Sequence, residues 1–183
     1  MSPSPQEAAA ALRAIHSVQI RAAGFQDYRA ESRQLILWGS LNFIGCIFSA
    51  LFPQFLLSIW FVVVVAGLLI GIRLACGLQQ HTDSGVAWRY LVIVGSVLLF
   101  AGLIHVVMWP VTPRQGSMLV PLFVAALYTI RGAQSRPRYL IIGAVLTVLC
   151  SCCFLFAATY HWWCLAFAWG GTFIVSGLWL SRT

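Results

Sequence analysis

From Leu35 to Ile72 the chain carries no charged side chain, and the one helix-breaking interruption is Pro53-Gln54. A soluble domain cannot absorb such a run, because every face of it would have to be buried. A bilayer can, since a helix needs about 20 apolar residues to cross its hydrocarbon core. The proline divides the run into two spans, 35–52 and 54–74, joined by a tight turn. Each polar backbone group in hydrocarbon must be satisfied within its own segment, so the spans are helices.

The remainder of the chain repeats this grammar. Further apolar runs occupy 89–109, 118–130, 139–159 and 162–180, separated by short stretches rich in turn residues. The fourth is the shortest. Its core of about 13 residues rises about 20 Å, less than the ~30 Å of a hydrocarbon core. Either 111–117 dips into the membrane or this helix lies among its neighbours. Only 8% of residues are charged and 61% are hydrophobic, too little charge to cover a soluble core. The expected fold is an all-α integral membrane protein, one domain over 35–183, with six transmembrane helices as three antiparallel hairpins.

Orientation follows from the cations, all of which are arginine. With six spans both termini share a side. Of the 11 basic residues, all but Arg114 fall on that side or at its edge. The positive-inside rule then makes both termini cytoplasmic, in a bacterial inner (plasma) membrane. Trp109, Tyr160, Trp162 and Trp163 gather at the opposite interface, where amphipathic rings belong. A net charge of +7 would fit nucleic acid if it lined one exposed face. Here it punctuates apolar runs, so nucleic acid is not an expected partner.

Residues 1–34 precede the first span and contain no secretory signal, whose apolar core is shorter and starts earlier. A proline- and serine-containing tip leads into an alanine-rich helix from Gln6. Its larger apolar residues, among them Leu12, Ile15, Val18 and Phe25, recur every three or four positions, with arginines mostly off that stripe. It reads as an amphipathic helix on the cytoplasmic surface, its arginines near anionic lipid headgroups. The other reading is a docking arm, through 6–33, for a membrane or cytosolic protein.

Three spans open alike. Arg33 and Arg89 each stand six residues before a Gly-Ser pair (Gly39-Ser40, Gly95-Ser96), and Arg138 stands five before Gly143-Ala144. One hairpin plus its loop is therefore a candidate repeating unit. Arginine followed by apolar residues is also what any span starting from the cytoplasm looks like. Gly67 and Gly71 form a GxxxG that admits close backbone approach, a candidate surface for homo-oligomers.

Chemistry is scarce. No Asp, Glu or Lys lies within a span, which removes the usual carriers of proton coupling and cation binding. His105 is the one strongly ionisable intramembrane group, about a turn inside the outer interface. It is the candidate cofactor residue, although a b-type haem needs a second axial ligand, and His161, in the short turn between the fifth and sixth spans, is the only outer-side partner. More simply, His105 is a hydrogen-bonded structural histidine. Asn42 and Ser96, with His105, are candidates to line a cavity, and Asn42 equally suits a hydrogen bond between helices. Arg73, Arg89, Arg131 and Arg138 ring the cytoplasmic mouth, where they can contact phosphate-bearing lipid or an anionic ligand; topology alone also explains them.

The six cysteines lie in or beside apolar runs, and no metal site is expected of them. Cys150 and Cys153 share a face but lack histidine or carboxylate partners there and read as small packing residues. No phosphate-cradling loop, carboxylate pair or nucleophile–base arrangement is legible. No catalytic residue and no cofactor are expected.

Residues 6–45, an N-terminal helix running into LILWGSLNFIG, followed by paired spans with arginines inside, resemble a broad group of small bacterial multi-span membrane proteins of unassigned function. Trp169-Gly170 in the last span adds to the resemblance. It implies a membrane fold and no activity. The functional expectation is a non-enzymatic inner-membrane accessory subunit, scaffold or regulator that packs against a partner. The alternatives are a small transporter or channel for an apolar or anionic molecule, and a haem- or quinone-binding redox subunit.

Overall fold

The computed structural model describes residues 31–77, 84–134 and 137–182. It contains six helices long and apolar enough to cross a membrane. They are α1 (Glu31–Leu51), α2 (Leu56–Gly77), α3 (Ser84–Val107), α4 (Pro113–Gln134), α5 (Pro137–Phe156) and α6 (His161–Ser181). The surface helix expected over 6–33 lies outside the described residues except for its last three. So does most of the polar loop holding His81 and Asp83.

Proline starts helices here more than it stops them. Pro113 and Pro137 open α4 and α5, and Pro53 opens the 3-10 turn Pro53–Phe55 that leads into α2. At a first helical position the missing N–H has no partner to lose and the ring's fixed φ is already helical. This is why the fourth helix is longer than its apolar core: it begins at Pro113, so 113–117 form its first turns. Pro121, fully buried, sits inside α4. It has no N–H to offer the carbonyl of Ser117, four residues earlier.

The six helices are not equivalent. The buried core is built from α1, α4, α5 and α6, with Leu35 and Cys46, Met118 and Ala125, Tyr139, Ile142, Leu146 and Cys150, and Leu165, Trp169, Phe173 and Leu180. Helix α2 reaches it through Val63 and the half-buried Trp60. Helix α3 contributes no buried residue over Tyr90–Val107. Helices α4 and α5 pair along their length, start against end: Arg114 meets Phe154, and Arg131 lies over the Tyr139 ring.

Small residues line the crossing of α1 with α6. Along α1, the positions Ser32, Leu35, Gly39, Asn42, Cys46 and Ser49 alternate in steps of three and four, and all are buried. That is the spacing of a helix–helix seam, here filled with small side chains so that backbones can approach. A Cβ at Gly39 would lie 2.8 Å from Ile174 N and 3.0 Å from Gly170 O, and one at Gly177 would lie 2.9 Å from Ser32 O, all backbone atoms of the facing helix. The Ser32 hydroxyl donates to the Gly177 carbonyl at 2.7 Å. Helix α6 changes pitch at this crossing, with a π-helical stretch at Ala166–Gly171.

The Gly-Ser echoes part company in three dimensions. Gly39 is pressed against α6 and Gly143 against the Ala125–Thr129 turn of α4, whereas a Cβ at Gly95 would meet nothing within 4 Å. Likeness of sequence at these positions does not carry likeness of packing.

Candidate functional site

The polar side chains that come together lie at the end of the bundle remote from Glu31 and Ser181. His161, the first residue of α6, is 4% exposed. Its Nε2 is 2.8 Å from Ser117 Oγ on α4, and its Nδ1 is 3.9 Å from Cys153 Sγ on α5. The Ser117 hydroxyl donates to the Arg114 carbonyl at 2.8 Å. That bond leaves Ser117 Oγ free to accept from Nε2–H of His161. Nδ1 faces the Cys153 thiol, which also lies 3.5 Å from the His161 carbonyl.

Arg114 completes the cluster. Its guanidinium donates to the Phe154 carbonyl and lies over the Phe154 ring, 4.8 Å from the centroid. Phe154 is in the last turn of α5, where carbonyls lack intrahelical donors and the helix dipole is negative. The one arginine remote from the chain termini is therefore half-buried and pinned to a helix end. Its Nε is buried without a partner. Beside the cluster, Trp162 and Trp169 of α6 bracket Trp60 of α2, and Trp169 stacks on it at 5.8 Å and 15°. The Trp169 indole N–H is buried with no hydrogen-bond partner.

The residues singled out from sequence are dispersed. Asn42 is 3% exposed in the seam of α1. Ser96 is exposed and donates to its own helix at Val92 O, 2.7 Å away, which satisfies a hydroxyl in an apolar setting. His105 holds Ala101 O with Nδ1 at 2.7 Å and turns Nε2 onto Gly116, where a Cβ would come within 2.5 Å. A groove of about 350 Å³ between α1 and α2 is lined by Leu41, Ile44, Phe48, Ile59 and Val62 among others, with Ser58 its one polar side chain. None of Asn42, Ser96 and His105 lines it. His105 and His161 thus both turn Nε2 onto α4, one to Gly116 and the other to Ser117.

At the opposite end, Arg131 pairs with Glu31 as well as lying over Tyr139, and Arg138 lies 5.6 Å over Trp179. Arg73 is exposed, and the side chain of Arg89 lies outside the described ones. Gly67 and Gly71 face inward: a Cβ at Gly67 would meet the Trp38 ring at 2.5 Å, and one at Gly71 would strike the Tyr90 hydroxyl. Trp38 Nε1 donates to that hydroxyl at 2.9 Å. This GxxxG therefore lies at a contact among α1, α2 and α3.

Sequence reading missed the Ser117–His161 pair. The two residues are 44 positions apart, each beside a turn, and no spacing rule links them. The available signal was negative: a polar residue at the start of α4 and another at the start of α6 both needed partners.

No family model matches this chain, and no curated protein and no solved structure is found to be similar to it.

Proposed function

We propose that this chain is a non-enzymatic accessory or scaffold subunit of a bacterial inner membrane, its six helices spanning as three antiparallel hairpins with cytoplasmic termini. The observation that carries the reading is the state of α3. Its Tyr90–Val107 stretch buries nothing, and a Cβ at Gly95 or Gly102 would meet nothing within 4 Å. Elsewhere in the described residues every glycine with a measured surrounding except Gly171 has a close neighbour. A glycine inside a helix costs about 1 kcal/mol relative to alanine. In α3 that cost has no return among the described residues, and a helix from another subunit laid along Gly95 and Gly102 would supply one.

Arginine placement supports the orientation. Arg33, Arg73, Arg131, Arg138 and Arg182 sit at the end that carries the termini, and Arg114 is consumed by Phe154 at the other. Residues 6–33 remain a proposed second contact, for headgroups or a cytosolic partner. The transporter reading needs a polar cavity, and the α1–α2 groove is apolar. The redox reading needs a second nitrogen facing His105, whose own nitrogens are turned to Ala101 and Gly116.

The test is purification of the tagged full chain from its native membrane in mild detergent, beside a G95L/G102L double variant. A stoichiometric partner, or a second copy, that is lost in the double variant while its melting temperature stays unchanged supports the proposal. A monomer with no partner, or a partner retained by the variant, refutes α3 as the docking face.

A further inference from the structure

Both walls of the α1–α2 groove lead to an arginine. On α1 the lining residues Phe48, Ile44 and Leu41 step back by three or four positions to Leu37 and Arg33. On α2 the lining residues Ile59, Val62 and Ala66 step on in the same way to Leu69 and Arg73. At 3.6 residues per turn, each series keeps to one face of its helix. The two helices run antiparallel, with Gln34 of α1 donating to the Gly71 carbonyl of α2 at 2.8 Å, so both arginines lie at one end of the groove. Ile44 and Val62 each stand eleven residues from the arginine of their own wall, a rise of about 16 Å. That is close to half of the ~30 Å hydrocarbon thickness, the depth of one leaflet.

The two ends of this path differ in chemistry. Arg131 is held by Glu31 and Tyr139, and Arg138 lies over Trp179. Arg33 and Arg73 are exposed, and the one carboxylate side chain among the described residues, Glu31, is taken by Arg131. The groove itself is apolar. A Cβ at Gly45 would lie 3.0 Å from Val63, so these two buried residues form its floor, while Ile44, Phe48 and Val62 stand exposed at its rims. Its volume of about 350 Å³ is at the small end of the range for ligand sites, room for a stretch of hydrocarbon and not for a whole lipid. A molecule that matches both ends carries an anionic head and an apolar tail about one leaflet long.

We propose that the α1–α2 groove is a binding site for an anionic phospholipid, its phosphate held by Arg33 and Arg73 and one acyl chain lying along the groove. Guanidinium groups suit the head because their planar donors bond phosphate oxygens in pairs. A zwitterionic lipid carries its own cation beside the phosphate and gains less from two arginines. Tyr90 of α3 meets α2 at Gly71, off the line from Ile59 to Arg73, so the site does not depend on the docking role of α3. Only the leaflet depends on the proposed orientation, which makes it the inner one.

The experiment is thermal unfolding of the full chain, delipidated in mild detergent, with phosphatidylglycerol, phosphatidylcholine or glycerol 3-phosphate added. At about a hundredfold excess over its Kd, phosphatidylglycerol should raise the midpoint by roughly 5–11 °C for a chain of this size. The other two should leave it near its lipid-free value. R33Q/R73Q should melt like wild type without lipid and lose most of the rise. Val62→Trp, which fills the groove from a position 64% exposed, should lose it with both arginines intact. R182Q, which removes an exposed cation at the end of α6, should keep it. Equal rises from the two phospholipids, a rise from glycerol 3-phosphate alone, or a full response in R33Q/R73Q or in Val62→Trp would overturn the site. Should the double variant fail to fold, Val62→Trp and the comparison of lipids on wild type still decide.

Discussion

Gly170 and Gly171 are adjacent on α6, in the same π-helical stretch, yet alanine should do opposite things at the two positions. A Cβ at Gly170 would lie 2.7 Å from the Cα, Cβ and N of Phe43, whereas one at Gly171 would meet nothing within 4 Å. Ordinary van der Waals contact begins at 3.4 Å, so Gly170→Ala demands about 0.7 Å of separation from atoms of which two are backbone and cannot rotate away. Helices α1 and α6 must part over the Gly39–Gly177 crossing, where a radial gap of 0.5–1 Å forfeits roughly a quarter to a half of each dispersion contact. Overpacking of this kind costs about 1–3 kcal/mol. The helix-propensity gain of alanine, up to about 1 kcal/mol, applies to both variants and cancels in the comparison. Gly170→Ala should therefore melt roughly 2–12 °C below Gly171→Ala, read by fluorescence-detected size exclusion after heating in detergent. Equal midpoints, or a Gly170→Ala variant that melts higher, would refute the close α1–α6 approach.

Arg114→Ala should cost about 1.5–3 kcal/mol, the range for a hydrogen bond to a charged group, by freeing the Phe154 carbonyl in the last turn of α5. Arg114→Lys should recover only part, since one ammonium cannot both bond the carbonyl and lie flat on the ring; chemical denaturation of the two variants checks both. Glu31→Gln should be nearly silent, shifting stability by under about 1 kcal/mol, because the Arg131 side chain is 53% exposed and that of Glu31 is 24% exposed. A large loss there would mean that the pair anchors α1 rather than decorating its start.

The residues considered individually show where sequence reading stops. Ser96 is satisfied by its own helix at Val92, so its polarity carried no news of a cavity. Gly67 and Gly71 mark a close approach of the Trp38 and Tyr90 rings. A GxxxG signals space and leaves open what fills it. His161 looked like a turn residue because a proline-free two-residue link preceded the last apolar run, and its burial comes from α4 folding across it.

The all-helical class, the count of six helices apolar enough to cross a membrane and, among the described residues, the collection of arginines toward one end were determined by the sequence alone. Each is written in local composition: an uncharged run long enough to span, broken by proline and edged by arginine, has few other ways to satisfy its backbone. The division of labour among the helices was decided only by the tertiary structure. In a soluble helix, polar and apolar faces announce which side is buried. Here α3 and α5 are apolar all round, so nothing in their periodicity says that α5 lies in the core and α3 at the margin. Close packing made that choice through Gly39, Gly170 and Gly177 in one seam, and the same packing carried Ser117, Cys153 and His161 to one point.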